Sequence, residues 1–258
     1  MATLDLADKK GVVFGVANAR SIAWSIARAL ADSGVELAFT YFGDRIKGSV
    51  EKTVSALGDP LVVECDARDT GQVAAAYEQA AARLGGLDIV IHSIAFADRE
   101  DLGGAFSETG IGGFRTALEA SAYTLIPVTA LAVPHMGETG GAVVTLTFHA
   151  SERVYPGYNV MGTAKAALEN EVRQLAAEFG PQKVRVNAVS AGPLPTLAAR
   201  SIPGFNDMRR AHASRAPLGR NITHDEVAGA ALFLCSDLAS GITGHVLPVD
   251  AGYGIMAI

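Results

Sequence analysis

Seven short runs of β-branched and apolar residues punctuate this chain: Val12–Val16, Val35–Thr40, Leu61–Glu64, Leu87–His92, Ala142–Thr147, Val184–Val189 and Val246–Val249. Runs of this length without polar alternation predict strands buried on both faces, as in a parallel sheet. Between them apolar residues recur at helical spacing, as at Ile22, Ile26, Ala29 and Leu30. Alternating strand and helix imply right-handed crossovers, and so an α/β fold: a Rossmann-type, doubly wound parallel sheet of about seven strands with helices on both faces. No repeat or linker interrupts the pattern, so one domain over residues 1–258 is expected. Such sheets bind ligands beyond the carboxyl ends of their strands. Gly15, Asp66, Ser93 and Phe148 each fall at or just past such an end.

Composition narrows the function classes. The 258 residues are 49% hydrophobic and only 19% charged, which suits a sheet covered on both faces and an oligomer. The net charge is −6 and the basic residues are scattered. A nucleic-acid binder needs a basic stripe to neutralise phosphates, so no nucleic-acid partner is expected. Cys65 and Cys235 fall in a strand-like and a helical run and are expected as buried thiols, too few for a disulfide framework or a cysteine zinc site. The histidines show no metal-ligand spacing, and no metal is expected. Met1 to Lys10 is polar and charged, without a signal-peptide core, and the apolar runs read as too short for a bilayer. A cytoplasmic protein without a membrane partner is the expectation.

The first strand runs through Gly15-Val16-Ala17-Asn18-Ala19-Arg20-Ser21-Ile22-Ala23 into a helix. Gly15 permits a tight turn and close approach of a phosphate, and Ser21 is the expected N-cap of a helix whose free N–H groups would face a pyrophosphate. The three-glycine fingerprint is absent, so this motif alone is weak. The second strand closes on Thr40-Tyr41-Phe42 with no acidic residue for the ribose hydroxyls; Glu36 opens that strand instead. No basic residue directly follows, which favours NADH, while Arg45 and Lys47 lie near enough to leave NADPH open. Asp66, in Cys65-Asp66-Ala67, is placed either to accept an adenine amino group or to cap the next helix. His92-Ser93-Ile94-Ala95 supplies small residues past which a ribose could lie.

Tyr158 and Lys165 stand seven residues apart, close to two helical turns, after the fifth strand. A lysine beside a tyrosine favours phenolate, and a hydroxyl so placed polarises a carbonyl. With Gly15-x5-Ser21-x-Ala23, Glu36-Leu37-Ala38-Phe39-Thr40-Tyr41, His92-Ser93-Ile94, Tyr158-Asn159-Val160-Met161, Val184-Arg185-Val186-Asn187-Ala188, Ser190-Ala191-Gly192-Pro193 and Phe233-Leu234-Cys235-Ser236, this pattern resembles the short-chain dehydrogenase/reductase superfamily. Within it the chain is similar, over almost its whole length, to the bacterial NADH-dependent enoyl-[acyl-carrier-protein] reductases of fatty-acid synthesis. Tyr-x6-Lys, with Gly162 and not lysine four residues after Tyr158, separates this branch from the larger ketoreductase branch.

The resemblance implies that Tyr158 stabilises the enolate of an enoyl thioester and that Lys165 holds the nicotinamide ribose. It also implies cofactor contacts at Gly15, Ser21, Ile22, Phe42, Asp66, Ala67, Ser93, Ile94, Leu194, Thr196 and Ala198, substrate contacts at Ala97 and Phe148, a mobile flap over about 191–212, and a homotetramer. Two positions depart from the family. Phe148 stands where a second active-site tyrosine is common, and its ring can wall an acyl pocket without donating a hydrogen bond. Within the flap, the stretch 202–210 offers only Arg209 and Arg210 as cations for an acidic carrier protein. The alternatives are a related reductase of another alkene or carbonyl, and a non-catalytic dinucleotide sensor.

Overall fold

The structure, a computed structural model, describes residues 4 and 6–257. All seven apolar runs form strands: β1 (Lys10–Phe14), β2 (Glu36–Tyr41), β3 (Val62–Glu64), β4 (Ile89–His92), β5 (Gly141–Thr147), β6 (Val184–Ala191) and β7 (Val246–Val249). They make one sheet in the order β3-β2-β1-β4-β5-β6-β7, and every pairing is parallel. The strand order reverses between β1 and β4, where Gly11 to Phe14 pair with Ile89 to His92. That reversal opens a crevice at the carboxyl edge of the sheet. β1 stops at Phe14, two residues before the apolar run does, because Gly15 turns the backbone to φ +99.

Successive residues of a strand point to opposite faces, and the core divides accordingly. Val13, Phe39, Ile91 and Val144 pack against α1 (Ile22–Asp32), α2 (Asp44–Val54) and α8 (His224–Cys235). Val12, Phe14, Val90 and Val143 pack on the other face against α3 (Thr70–Leu84), α5 (Leu125–Ala132) and α6 (Val160–Phe179). Trp24 and both cysteines are buried. Two further helices, α4 (Ile111–Leu118) and α7 (Phe205–Arg215), follow β4 and β6 in sequence.

One expectation about apolar length fails. Ile111–His135 is helical in one continuous stretch of 25 residues, long and apolar enough by composition to cross a bilayer. It is built of α4, a π-helical turn (Glu119–Tyr123), α5 and a 3-10 turn (Val133–His135), so no single uninterrupted apolar run announces it. Ala117, Ala122, Leu125, Val128 and Ala132 are buried inside the fold, and that packing accounts for the apolar character of the stretch.

Candidate active site

At the crevice, Gly15 does two jobs. Its backbone at φ +99 is one that L side chains rarely adopt, and a Cβ there would sit 2.0 Å from the Ser93 carbonyl oxygen. The ends of β1 and β4 therefore meet as bare backbone, tied by the Ser93 N–H donating to the Phe14 carbonyl at 3.1 Å. Ser21 occupies the N-cap position of α1, but its hydroxyl does not cap the helix. It accepts the N–H groups of Ala17 and Asn18 at 3.0 and 3.1 Å, folding the loop back on itself. The first turn of α1, beginning at Ile22, keeps its N–H groups free of any side-chain cap, which suits a bound pyrophosphate.

At the end of β3 Asp66 does not cap a helix. The cap of α3 is Asp69, whose carboxylate accepts from Gly71 and Gln72. Asp66 is instead gripped by Arg68, with Nε and a terminal nitrogen at 2.7–3.1 Å, and this holds its carboxyl below the usual range. The Arg68 guanidinium also lies 5.5 Å from the centre of the exposed Phe42 ring. Phe42, Asp66 and Arg68 thus form one surface at the ends of β2 and β3, with Ala67 buried beneath it. Lys47 points at the Tyr41 ring, 6.0 Å away. These features fit a dinucleotide: a glycine notch that a Cβ would fill, an uncapped helix start, and an aromatic surface beside a carboxylate.

Tyr158 lies in the turn before α6, not on the helix. Asn159, at φ +34, makes the join, and its side-chain amide donates to the Gly103 carbonyl at 2.5 Å. Gly157 is required just before it: φ is +80, and a Cβ would meet the Pro203 carbonyl at 2.7 Å. Pro203 lies in the segment expected as a flap, and it rests on the turn that carries Tyr158. The α7 helix of that segment ends at Arg215. Burial raises the Tyr158 phenol above its ordinary pKa, which favours the protonated, donating form over the phenolate expected from the Tyr–Lys spacing.

Phe148 stands directly after β5 and meets Tyr158 edge-on, with ring centres 5.1 Å apart. Tyr155 packs against the same Phe148 ring at 4.6 Å, but its hydroxyl is engaged by His149 Nδ1 at 3.3 Å. Tyr158 also joins Ala97, Phe114 and Leu118 around a small buried cluster of Leu102, Ala117, Val160, Met161 and Ala164. An apolar wall therefore stands beside the phenol. Lys165 is buried in α6 and donates to the Leu146 carbonyl at 2.8 Å. Ile94 packs on the α3–α6 core, Leu194 is buried in the α1–α8 core, and Thr196 accepts the Ala199 N–H at the turn that Ala198 opens.

Several positions escaped the sequence. Ser121, fully buried in the π-helical turn, accepts from the Phe96 N–H and donates to the Phe96 carbonyl, both at 2.9 Å, and so fixes the segment after β4 that carries Ala97. A π turn at such a place is a common functional device, and no residue pattern announces one. Arg68, Asn159 and Glu169 were likewise unmarked. Among the described residues no group of three or more His, Cys, Asp or Glu side chains is placed to hold a metal ion.

A family model described as Enoyl-(Acyl carrier protein) reductase matches residues 15–254. The chain is 47% identical over 259 aligned positions to enoyl-[acyl-carrier-protein] reductase [NADH] of Nostoc sp., covering 99% of this chain and 100% of that protein. The fold is similar to that of the Bacillus cereus enoyl-acyl carrier protein reductase with NADP+ and indole naphthyridinone, at TM-score 0.95, 44% identity and coverage of 98% and 99%. It is equally similar to the Anaplasma phagocytophilum reductase in complex with NAD, at TM-score 0.94, 41% identity and coverage of 100% and 98%.

Proposed function

The chain belongs to the enoyl-(acyl carrier protein) reductase family, and from that premise we propose that it reduces the trans-2 double bond of an enoyl thioester carried on acyl carrier protein, through Tyr158 and Lys165. NADH supplies the hydride. The observation that carries the reading is the Tyr158 phenol, set edge-on to Phe148 at the rim of a small apolar cluster and raised by burial above its ordinary pKa.

Gly15, Ser21, Ile22, Ser93, Ile94, Leu194, Thr196 and Ala198 hold the pyrophosphate and nicotinamide half of the cofactor, and Phe42, Asp66 and Ala67 the adenosine half. Leu194 does so through its backbone, its side chain being in the core. Lys165 orients the nicotinamide ribose, while Ala97 and Phe148 wall the acyl chain. When hydride adds at Cβ, the π electrons of the double bond move toward the thioester carbonyl oxygen. The Tyr158 O–H donates to that oxygen as it becomes an enolate, and a proton then adds at Cα to complete the saturated thioester. A preorganised donor at a developing oxyanion contributes about 3 kcal/mol or more. The family's cytoplasmic setting, a homotetramer, and carrier docking through the flap complete the reading. For docking, Arg210 is paired with Asp207, and Arg209 has a buried Nε without a hydrogen-bond partner.

The test is NADH and NADPH oxidation with crotonyl and dodecenoyl thioesters. Tyr158→Phe is expected to lower kcat by roughly 100-fold or more while NADH affinity is retained. Equal turnover in the two proteins would remove Tyr158 from the chemistry; none in wild type, with NADH bound, would move the function to another substrate.

A further inference from the structure

From the buried contacts of α6 we infer that Glu169 is a positioning residue for Lys165, the carboxylate that keeps the ribose-holding ammonium charged and registered on β5. The inference rests on Lys165 holding the nicotinamide ribose. Glu169 lies one helical turn beyond Lys165, and both are almost fully buried, at 6% and 4% exposure. Lys165 donates to the Leu146 carbonyl at 2.8 Å, and Glu169 accepts from the Thr147 hydroxyl at 2.7 Å. Two consecutive residues at the end of β5 are thus clasped by one turn of α6. The next residue, Phe148, carries the contact to Tyr158.

A buried carboxylate bonded only to a hydroxyl is costly unless an opposite charge shares its surroundings, and the same holds for a buried ammonium bonded to one carbonyl. Burial pulls Lys165 down to about 8, and the charge that opposes this is Glu169. The other titratable groups on the elements packed around Lys165 do not take that role. His92 on β4 is bonded to Thr145 and Thr124 and held neutral, its pKa down to about 3. Burial raises the Tyr158 phenol and so disfavours its charged form. His149, in the 3-10 turn after β5, lies 3.7 Å from Glu152. Arg115 of α4 and Glu119 of the π turn are exposed. Arg185, at the start of β6, is bound to the Leu234 and Ser236 carbonyls at the opposite end of the sheet from Leu146.

The sign follows directly. Lys165 holds ribose hydroxyls as an ammonium, so NADH affinity is full below its pKa and falls as pH rises through it. Removing the Glu169 charge lowers that pKa and moves the alkaline loss of affinity to lower pH. Glu169→Gln keeps an acceptor for Thr147 and deletes only the charge. A fall of about one unit, ordinary for loss of a close opposite charge, leaves affinity almost unchanged at pH 6 and weakens it about eightfold at pH 8.5.

The experiment is NADH binding by fluorescence from pH 6 to 9 on wild type, Glu169→Gln, Glu169→Asp and Lys165→Met. Alongside it, the Lys165 amine of the free protein is titrated by NMR. Expected are a lowered Lys165 midpoint and an earlier alkaline limb in Glu169→Gln, with both near wild type in Glu169→Asp, which retains the charge. An unmoved midpoint, or affinity lost equally at every pH, overturns the inference and leaves Glu169 a packing residue. If Glu169→Gln does not fold, Glu169→Asp decides alone: a midpoint shifted as far as about one unit despite the kept charge overturns it. Lys165→Met binding NADH like wild type at pH 6 would instead sink the reading of Lys165 on which the inference rests.

Discussion

At the scale of single residues, the site depends on where hydroxyls are and are not. Phe148 removes one from the family's pattern, and Tyr155 does not restore it, since its ring lies against Phe148 and its hydroxyl is bonded to His149. Under the proposed mechanism Tyr158 then donates to the thioester oxygen without help from position 148. Phe148→Tyr is expected to change kcat with a dodecenoyl thioester by less than about tenfold, the range of a single neutral hydrogen bond. A gain of several orders of magnitude would show that the native site works below its capacity. Residue identity was well legible where the backbone needs a type, as at Gly15, whose φ is +99. It was poorly legible where geometry assigns the partner. Asp66 and Asp69 look interchangeable as helix caps in sequence, and only the turn decides that Asp69 takes the α3 amides while Asp66 takes Arg68.

Among elements, the loop between β1 and α1, proposed to hold the pyrophosphate, is supported by a helix remote in sequence. α8 starts with a capping box in which the Thr223 hydroxyl accepts the Glu226 N–H and the Glu226 carboxylate accepts the Thr223 N–H. Arg220 forks onto the same carboxylate and holds it down at about 2. The next residue, His224, bonds the Arg20 carbonyl at 3.1 Å, at the entry to α1. Loosening this cap should loosen the loop. Thr223→Ala is expected to cost about 1 kcal/mol of stability by denaturant titration and to raise KM for NADH more than KM for the thioester. Equal effects on both would detach α8 from cofactor binding. Strands were the most legible elements, because burial on both faces writes itself as uninterrupted apolar residues. The stretch from Ile111 to His135 was the least, because a π turn and proline-bearing helical pieces break its period.

For the whole molecule, the sheet leaves apolar residues uncovered. Phe106, Ile111, Tyr123 and Ile126 are exposed along one segment of the chain, and Val154, Ile255 and Met256 near other surface turns. Single exposed apolar residues are ordinary, but a run of large ones suits burial between copies of the chain. Sedimentation is expected to give a mass of four times 26.7 kDa, and Ile126→Glu to dissociate the assembly. An unchanged mass in that variant would place the contact elsewhere. The strand order has one more consequence, for the chain as it is made. β2 and β3 add to one side of β1 as they emerge, but β4, its other neighbour, is synthesised about fifty residues after β2. Until then Gly11 to Phe14 form an open edge in the middle of the future sheet, and open apolar edges invite pairing with other chains. β1 is sealed once residue 92 has left the ribosome, and the open edge then passes outward from β4 to β5 and β6 as each next strand is made.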